Sequence, residues 1–265
     1  MQHINLEELT AQVRNLVIEI GVFIRNERKV FQRERVENKQ AHDYVSYVDK
    51  ESELKIVTRL KELLPEAGFI AEEGSVGMEG QVYCWVVDPL DGTTNFIHDV
   101  APYCVSIALR HGNEILLGVV YEICRDECFW TWKGAPSFLN GKVIHVTDID
   151  EFDNAFIALG FPYNSDAYHA TVVQLVNRLY GKVSGLRVVG AAAAELCYIA
   201  AGRLDARIEA FLGPWDIAAG TLIVKNAGGV VTDFVGTDDF LSGREVLASN
   251  GNLHRGLLDC LRDLD

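Results

Sequence analysis

Between Trp85 and Phe96 the chain reads Trp-Val-Val-Asp-Pro-Leu-Asp-Gly-Thr-Thr-Asn-Phe, an apolar run that ends in two carboxylates, a glycine and two hydroxyls. Val86 and Val87 have the character of a buried strand, and Pro89, with no N–H to donate, is expected to stop the ladder immediately after Asp88. Asp88 is therefore placed at the carboxyl end of a strand. Asp91-Gly92-Thr93-Thr94 reads as a turn into a helix. The unpaired N–H groups of a helix start, together with the positive end of its dipole, favour an anion, which makes Gly92, Thr93 and Thr94 candidates for holding a phosphate. The plainer alternative is that Asp91 caps its own helix and Asp88 is solvated at a strand end.

Other acidic positions add to this pair. Glu72 and Glu73 follow the short apolar run Phe69-Ile70-Ala71, and Asp216 follows Trp215 at the start of a predicted helix. Carboxylates crowded into one region raise one another's pKa and oppose folding unless a cation neutralises them. An all-oxygen donor set suits magnesium, manganese or calcium better than zinc. Adjacent strand side chains point to opposite faces, so only one of Glu72 and Glu73 can face such an ion directly.

Three segments, in this order, carry a family resemblance: the apolar-Glu-Glu step from Phe69 to Gly74, the Asp88-Pro-Leu-Asp91-Gly-Thr-Thr run, and Gly213-Pro-Trp-Asp216-Ile-Ala-Ala-Gly220. Together they resemble the signatures of the inositol monophosphatase family and span most of the chain, with Lys39, Asp43, Asp49 and Glu209 matching further elements. The resemblance implies a layered α-β-α-β-α sandwich of the inositol monophosphatase and fructose-1,6-bisphosphatase type, in the mixed α+β or α/β class. It also implies magnesium-dependent hydrolysis of a phosphate monoester, first of all myo-inositol monophosphate. One magnesium would be held by Glu72, Asp88 and the Leu90 carbonyl, and a second by Asp88, Asp91 and Asp216, with a weaker third near Glu72. Glu72 and the Thr93 hydroxyl, polarised by Asp49, would orient the attacking water, with no covalent enzyme intermediate. Glu209, the backbone at Gly190, Ala191 and Ala192, and Asp91 would meet the polyol. Lys39 and Glu73 are further candidates. Lithium sensitivity and a homodimer are implied as well.

Ala191 stands where relatives often carry a hydroxyl residue, so one polar contact to the polyol is missing. A neutral contact is worth around 1 kcal/mol, which tunes selectivity without abolishing it. Histidinol phosphate, nucleotide 3′-phosphates, NADP and fructose 1,6-bisphosphate therefore remain alternative substrates. A phosphatase of the haloacid dehalogenase type also ends a strand in aspartates, but uses D-x-D, whereas Asp88 and Asp91 have two residues between them. A non-catalytic binding protein is the other alternative; retention of Glu72, Asp88, Asp91, Thr93 and Asp216 together opposes it.

The elements that must position these residues are legible from periodicity. Leu6, Leu9, Val13, Leu16, Val17, Ile20 and Ile24 recur at helical spacing behind Asn5 as N-cap and Glu8, predicting a long amphipathic first helix. A second helix is predicted from Asp49 to Leu64, with Pro65 beyond it. Residues 103–110, 116–121 and 128–132 read as an antiparallel meander. After Asn140-Gly141 helices and strands alternate, so residues 1–140 and 141–265 are taken as two halves of one compact unit. Helices are predicted around Tyr168–Leu179, from Gly190 to a C′ residue at Gly202, and from Pro214 to Gly228-Gly229 before the strand Val230–Phe234.

Composition bounds the rest. The chain has 265 residues, 49% of them hydrophobic, enough for a sizeable core. A net charge of −14 disfavours nucleic acid and anionic membranes as partners, since both require a basic face. An anionic substrate meets the same repulsion unless bound divalent ions invert the local field. The start carries no basic region followed by an apolar core, and no apolar stretch is long enough to span a bilayer, so the chain reads as cytoplasmic. Its six cysteines lack metal-ligand spacing and read as reduced thiols.

Overall fold

The computed structural model describes residues 4–32, 36–40, 43–74, 82–162 and 165–262. The chain begins with α1 (Leu6–Val30), a small hairpin of β1 (Glu37–Gln40) and β2 (Asp43–Val45), and α2 (Tyr47–Leu63). A seven-stranded sheet follows, built from β3 (Gly68–Ala71), β4 (Tyr83–Asp91), β5 (Cys104–His111), β6 (Glu114–Glu122), β7 (Glu127–Trp132), β8 (Phe138–Leu139) and β9 (Lys142–Val143), with the short α3 (Thr93–His98) between β4 and β5. The second sheet uses β10 (Phe156–Leu159), β11 (Gly185–Arg187), β12 (Ala206–Ala210), β13 (Val230–Thr232) and β14 (Glu245–Ser249). Its order is β11-β10-β12-β14-β13. Between these strands run α4 (Ser165–Leu179), α5 (Ala192–Ala200), α6 (Pro214–Asn226) and α7 (Phe240–Gly243), and α8 (His254–Leu261) follows β14.

Side-chain alternation along the strands sorts these elements into five layers. Trp85, Val87, Val105, Ile107, Leu109, Leu117, Val119 and Tyr121 point to one face of the large sheet and pack on the apolar stripes of α1 and α2. Val86, Ala108 and Val120 point to the other face, against α5 and α6. Those two helices are sheathed on their far side by Ala158, Val246 and Ala248 of the small sheet. Ile157, Leu159, Ala206, Ile208 and Leu247 then turn outward to Leu175 and Leu179 of α4 and Leu257 of α8. The result is the expected α-β-α-β-α sandwich. Eight of the nine residues of α5 are buried, as a helix caught between two sheets requires, which explains its alanine-rich sequence.

The meander is present as β5, β6 and β7, each antiparallel to the next, and β3 joins β4 in parallel. Asn5 accepts the Glu8 N–H at the start of α1, as its spacing predicts. One expectation is overturned. Pairing does not end at Asp88: β4 resumes its ladder with β5 at Asp91, opposite Cys104, after a register shift between Asp88 and Asp91. Pro89 has no N–H for the ladder, so the strand bulges around Pro89-Leu90 instead of terminating. Among the described residues no helix is long and apolar enough to cross a membrane.

Candidate active site

The bulge in β4 changes the aim of its acidic side chains. Without it, Asp88 and Asp91, three residues apart, would face opposite sides of the sheet; with it, both carboxylates lie on the α5–α6 side, together with Asp216. Ligand atoms of Asp88, Asp91 and Asp216 all lie within 4.8 Å of one another. Asp88 and Asp91 are buried, and Asp216 is half-buried. Glu72, in the turn that follows β3, is tied to the sheet by its N–H, which donates to the Val87 carbonyl at 3.2 Å. Its carboxylate reaches Asp88.

Each carboxylate is fixed by its own supports. Asp88 Oδ1 accepts the Leu90 N–H at 2.9 Å, within the bulge. Asp91 accepts the N–H groups of Ala192 at 3.1 Å and Ala193 at 2.8 Å, and the Cys104 thiol at 3.3 Å. It therefore does not cap the helix that follows it in sequence; it caps α5, from the other half of the chain. Asp216, at the third position of α6, accepts the Gly213 N–H at 2.6 Å through Oδ2. Asp49 is the third residue of α2, where Ser46 is the N-cap, and its Oδ2 accepts both the Ser46 N–H at 2.9 Å and the Ser46 hydroxyl at 2.5 Å. The Thr93 hydroxyl lies 2.9 Å from Asp49 Oδ1 and 3.0 Å from the Leu90 carbonyl, and with one proton it donates to one of them at a time.

Burial and like charge oppose ionisation here. Asp88 is held well above the usual carboxylate range by burial and by the charges of Glu72, Asp91 and Asp216. Asp216 is pushed up to about 8 by burial, then by Glu72 and Asp91. Burial also raises Asp91 and Asp49 to about 6, opposed by their hydrogen bonds. Oxygen-only donors that resist ionisation without a counter-charge match a hard divalent cation. The nearby Cys104 does not alter that preference, because burial raises its thiol well above the ordinary range and it acts as a donor to Asp91.

Beside the cluster a cavity of about 280 Å³ is lined by Asp91, Gly92, Thr94, Gly190, Ala191, Ala192, Glu209 and Asp216. Gly92 heads α3 at φ +87°, with no side-chain cap, and a Cβ there would lie 3.1 Å from both the Ala191 Cβ and the Pro102 carbonyl. Only glycine suits both the conformation and the space. A larger cavity of about 580 Å³, between α6 and residues 238–242, contains none of the acidic cluster. The structure thus gathers Asp88, Asp91 and Asp216, links Glu72, Leu90, Thr93 and Asp49 to them through hydrogen bonds and charge, and puts Gly92, Thr94, Gly190, Ala191, Ala192 and Glu209 on the adjoining cavity wall. Glu73 turns its N–H to Glu53 Oε2 at 2.8 Å. Both glutamates occupy a turn, not the strand on which their opposite facing was expected. Lys39 belongs to β1, paired with β2; its side chain, like that of Asp43, lies outside the described part of the structure.

Several participants carry no local signal in the sequence. Ser46, Glu53 and Cys104 hold the acidic residues from behind. Asn95 donates to the carbonyls of Pro102 and Val189, both at 2.9 Å, and so ties α3 to the loop before α5. Glu195 is buried in α5 and accepts the Gly190 N–H at 2.9 Å. Arg207 of β12 is buried against it. Their partners are too distant in sequence for spacing to reveal; Arg207 and Glu209, alternating with apolar residues in the strand Ala206–Ala210, are a visible anomaly.

Between the two sheets of this five-layer sandwich, carboxylates with the oxygen donors of a metal site lie beside a helix start and a cavity. The model of the inositol monophosphatase family matches residues 5–264. The chain belongs to that family. It is 38% identical over 221 residues, 83% of each chain, to an inositol-1-monophosphatase of Mesorhizobium japonicum. It is 39% identical over 236 residues, 86% of each chain, to a protein named Nus factor SuhB of Pseudomonas aeruginosa. Among solved structures, the extragenic suppressor protein suhB of Bartonella henselae superposes with a TM-score of 0.89 at 34% identity, over 94% of this chain and 96% of that one. An inositol monophosphatase of Anabaena superposes with a TM-score of 0.86 at 28% identity, over 99% and 98%.

Proposed function

We propose that this chain is a magnesium-dependent phosphatase that hydrolyses a phosphate monoester of a polyol, myo-inositol monophosphate first among them, by direct attack of water. The observation that carries this reading is the cluster of Asp88, Asp91 and Asp216, which closes to within 4.8 Å, with Asp91 and Asp216 lining the adjoining cavity. Glu72, Asp88 and the Leu90 carbonyl would hold one magnesium, Asp88, Asp91 and Asp216 a second, and a third would lie near Glu72. Bound there, magnesium would neutralise the non-bridging phosphoryl oxygens, stabilise the leaving alkoxide and acidify water.

The chain's own groups supply the remaining steps. The uncapped start of α3 at Gly92, Thr93 and Thr94 presents N–H groups to phosphate. Thr93, when it donates to Asp49, turns its oxygen lone pairs toward a water and accepts one of its protons in a hydrogen bond. Glu72 takes up the other as the general base. Glu209, across the cavity, accepts a hydroxyl of the leaving group, and the Gly190–Ala192 backbone shapes the pocket around it. Lys39 and Glu73 are assigned supporting roles, on phosphate and on the cluster's outer edge. The free state of all six cysteines supports a reducing, cytosolic location. The homodimer that the family resemblance implies is to be checked by light scattering.

Relatives named Nus factor make a binding role the second reading. The complete carboxylate set, which burial and mutual repulsion make costly to retain, favours catalysis. A phosphate-release screen with magnesium tests the reading across inositol monophosphates, histidinol phosphate, nucleotide 3′-phosphates, NADP, fructose 1,6-bisphosphate and an aryl phosphate. Release from a polyol monophosphate, abolished by chelation, is expected. No magnesium-dependent release from any of them would overturn it.

A further inference from the structure

Ala206 and Ile208 of β12 face outward to the core beneath α4 and α8, so Arg207 and Glu209 face inward, toward α5 and the cavity. Arg207 is 1% exposed. Its Nε donates to Glu195 Oε2 at 2.6 Å, and its Nη2 donates to Glu209 Oε2. Glu195 uses its other oxygen to accept the Gly190 N–H. An unbroken chain of bonds, Gly190 to Glu195 to Arg207 to Glu209, therefore joins two walls of the same cavity.

The charge of Arg207 favours the ionised forms of Asp91 and Asp216, yet its direct bonds go to Glu195 and Glu209. Apolar residues replacing a buried ion network are often neutral or stabilising, because the charges lose their hydration. Here Arg207 Nη1 is also buried without a partner among the described residues. A second feature converges on the same carboxylate. A Cβ on Gly160, at the end of β10, would lie 1.9 Å from Glu209 Cδ, so the missing side chain is the space in which Glu209 rests.

We propose that Arg207 is the positioning residue that sets leaving-group specificity, fixing the Glu209 carboxylate by Oε2 so that Oε1 accepts a substrate hydroxyl, and fixing the Gly190 backbone opposite through Glu195. This rests on the phosphatase reading above. Two carboxylates against one guanidinium leave this wall net negative. The favoured leaving group is therefore hydroxylated and uncharged, and a substrate with a second phosphate at this end is disfavoured.

The test compares kcat/KM for myo-inositol monophosphate with that for para-nitrophenyl phosphate, using the full chain with magnesium. Arg207→Met is expected to lower the polyol-to-aryl ratio about tenfold, mainly through KM for the polyol, since a hydrogen bond to a charged group is lost or misplaced. Arg207→Lys, which keeps the charge but not the two-sided fork, should recover part of the ratio. Gly160→Ala alters no charge and should lower the ratio similarly by displacing Glu209. It keeps the proposal falsifiable if Arg207→Met does not fold. Equal losses on the two substrates, or an unchanged ratio in Gly160→Ala and Arg207→Lys, would overturn the proposal. Wild-type protein inactive on both substrates would overturn the phosphatase reading, and the proposal with it.

Discussion

Asp88→Asn isolates the role of the most crowded carboxylate. The amide keeps an oxygen in the place of Oδ1, so the Leu90 N–H retains its 2.9 Å partner and the bulge survives. Its new N–H₂ group can donate to Glu72 as a protonated Asp88 does, without a proton that rising pH removes. Two unit charges 4.8 Å apart, the upper bound within the aspartate cluster, repel by about 3.5 kcal/mol at an effective dielectric near 20. Metal-free wild type avoids that repulsion by holding protons on buried groups, at a cost that grows with pH; the substitution removes one such group. In chelator at pH 8 the variant should melt above wild type by the equivalent of at least ~1 kcal/mol, roughly 2–4 °C for a chain of this size. Magnesium at about 100 times its dissociation constant stabilises a binding-competent fold by ~2.7 kcal/mol. Wild type should then gain roughly 5–10 °C on adding magnesium, and the variant far less, with turnover abolished. The assay is paired melting curves with and without magnesium, alongside phosphate release. A folded Asp88→Asn protein that keeps a full magnesium-induced shift, or substantial magnesium-dependent turnover, would refute the reasoning.

Other expectations follow from the same geometry. Thr93→Ala should lower kcat strongly with a smaller effect on apparent magnesium affinity, because Thr93 meets Asp49 and the Leu90 carbonyl and orients water; a change in magnesium affinity alone would remove that role. Glu209→Ala should cost roughly tenfold in kcat/KM on polyol phosphates and much less on an aryl phosphate; equal losses would take Glu209 out of substrate recognition. For metal-free protein, Asp49 and Asp91 at about 6 and Asp216 at about 8 all lie above the ordinary 3.8 in the native state. The native fold therefore holds protons that the unfolded chain releases, and their stabilisation, complete below pH 4, is lost as pH rises through 6 and then 8. The melting-temperature gap between magnesium and chelator should widen from pH 6 to pH 8, and a constant gap would contradict the assignment. Hydrolysis of a chiral phosphate monoester should invert configuration at phosphorus; retention, or a trapped phospho-Asp88, would favour a covalent route.

What the sequence discloses here is what is local. Caps such as Asn5, helix starts such as Pro214 and the apolar strand before Asp88 are read from neighbours a few residues apart, and the structure returns them in place. Pro89 shows the limit. Its missing N–H correctly marks a break in the ladder, but whether the chain leaves the sheet or bulges and rejoins depends on β5 continuing alongside, with Cys104 opposite Asp91. Nothing within the segment contains that information. The strand order of the small sheet is likewise decided by which faces α4, α5 and α8 cover. The family resemblance supplied the layered topology that periodicity could not.

Asp91 shows why fold and site cannot be separated in this chain. It belongs to the first sheet, yet both its oxygens accept N–H groups from the start of α5, a hundred residues away, while the same carboxylate faces Asp88 and Asp216. Asn95, in α3, adds a second tie to the carbonyl of Val189. The residues that would hold the ion are thus also those that dock the two sheets' helices together. A cation bound among them would relieve repulsion at that seam, so its binding is expected to tighten the packing of α5 and α6 as well as complete the site.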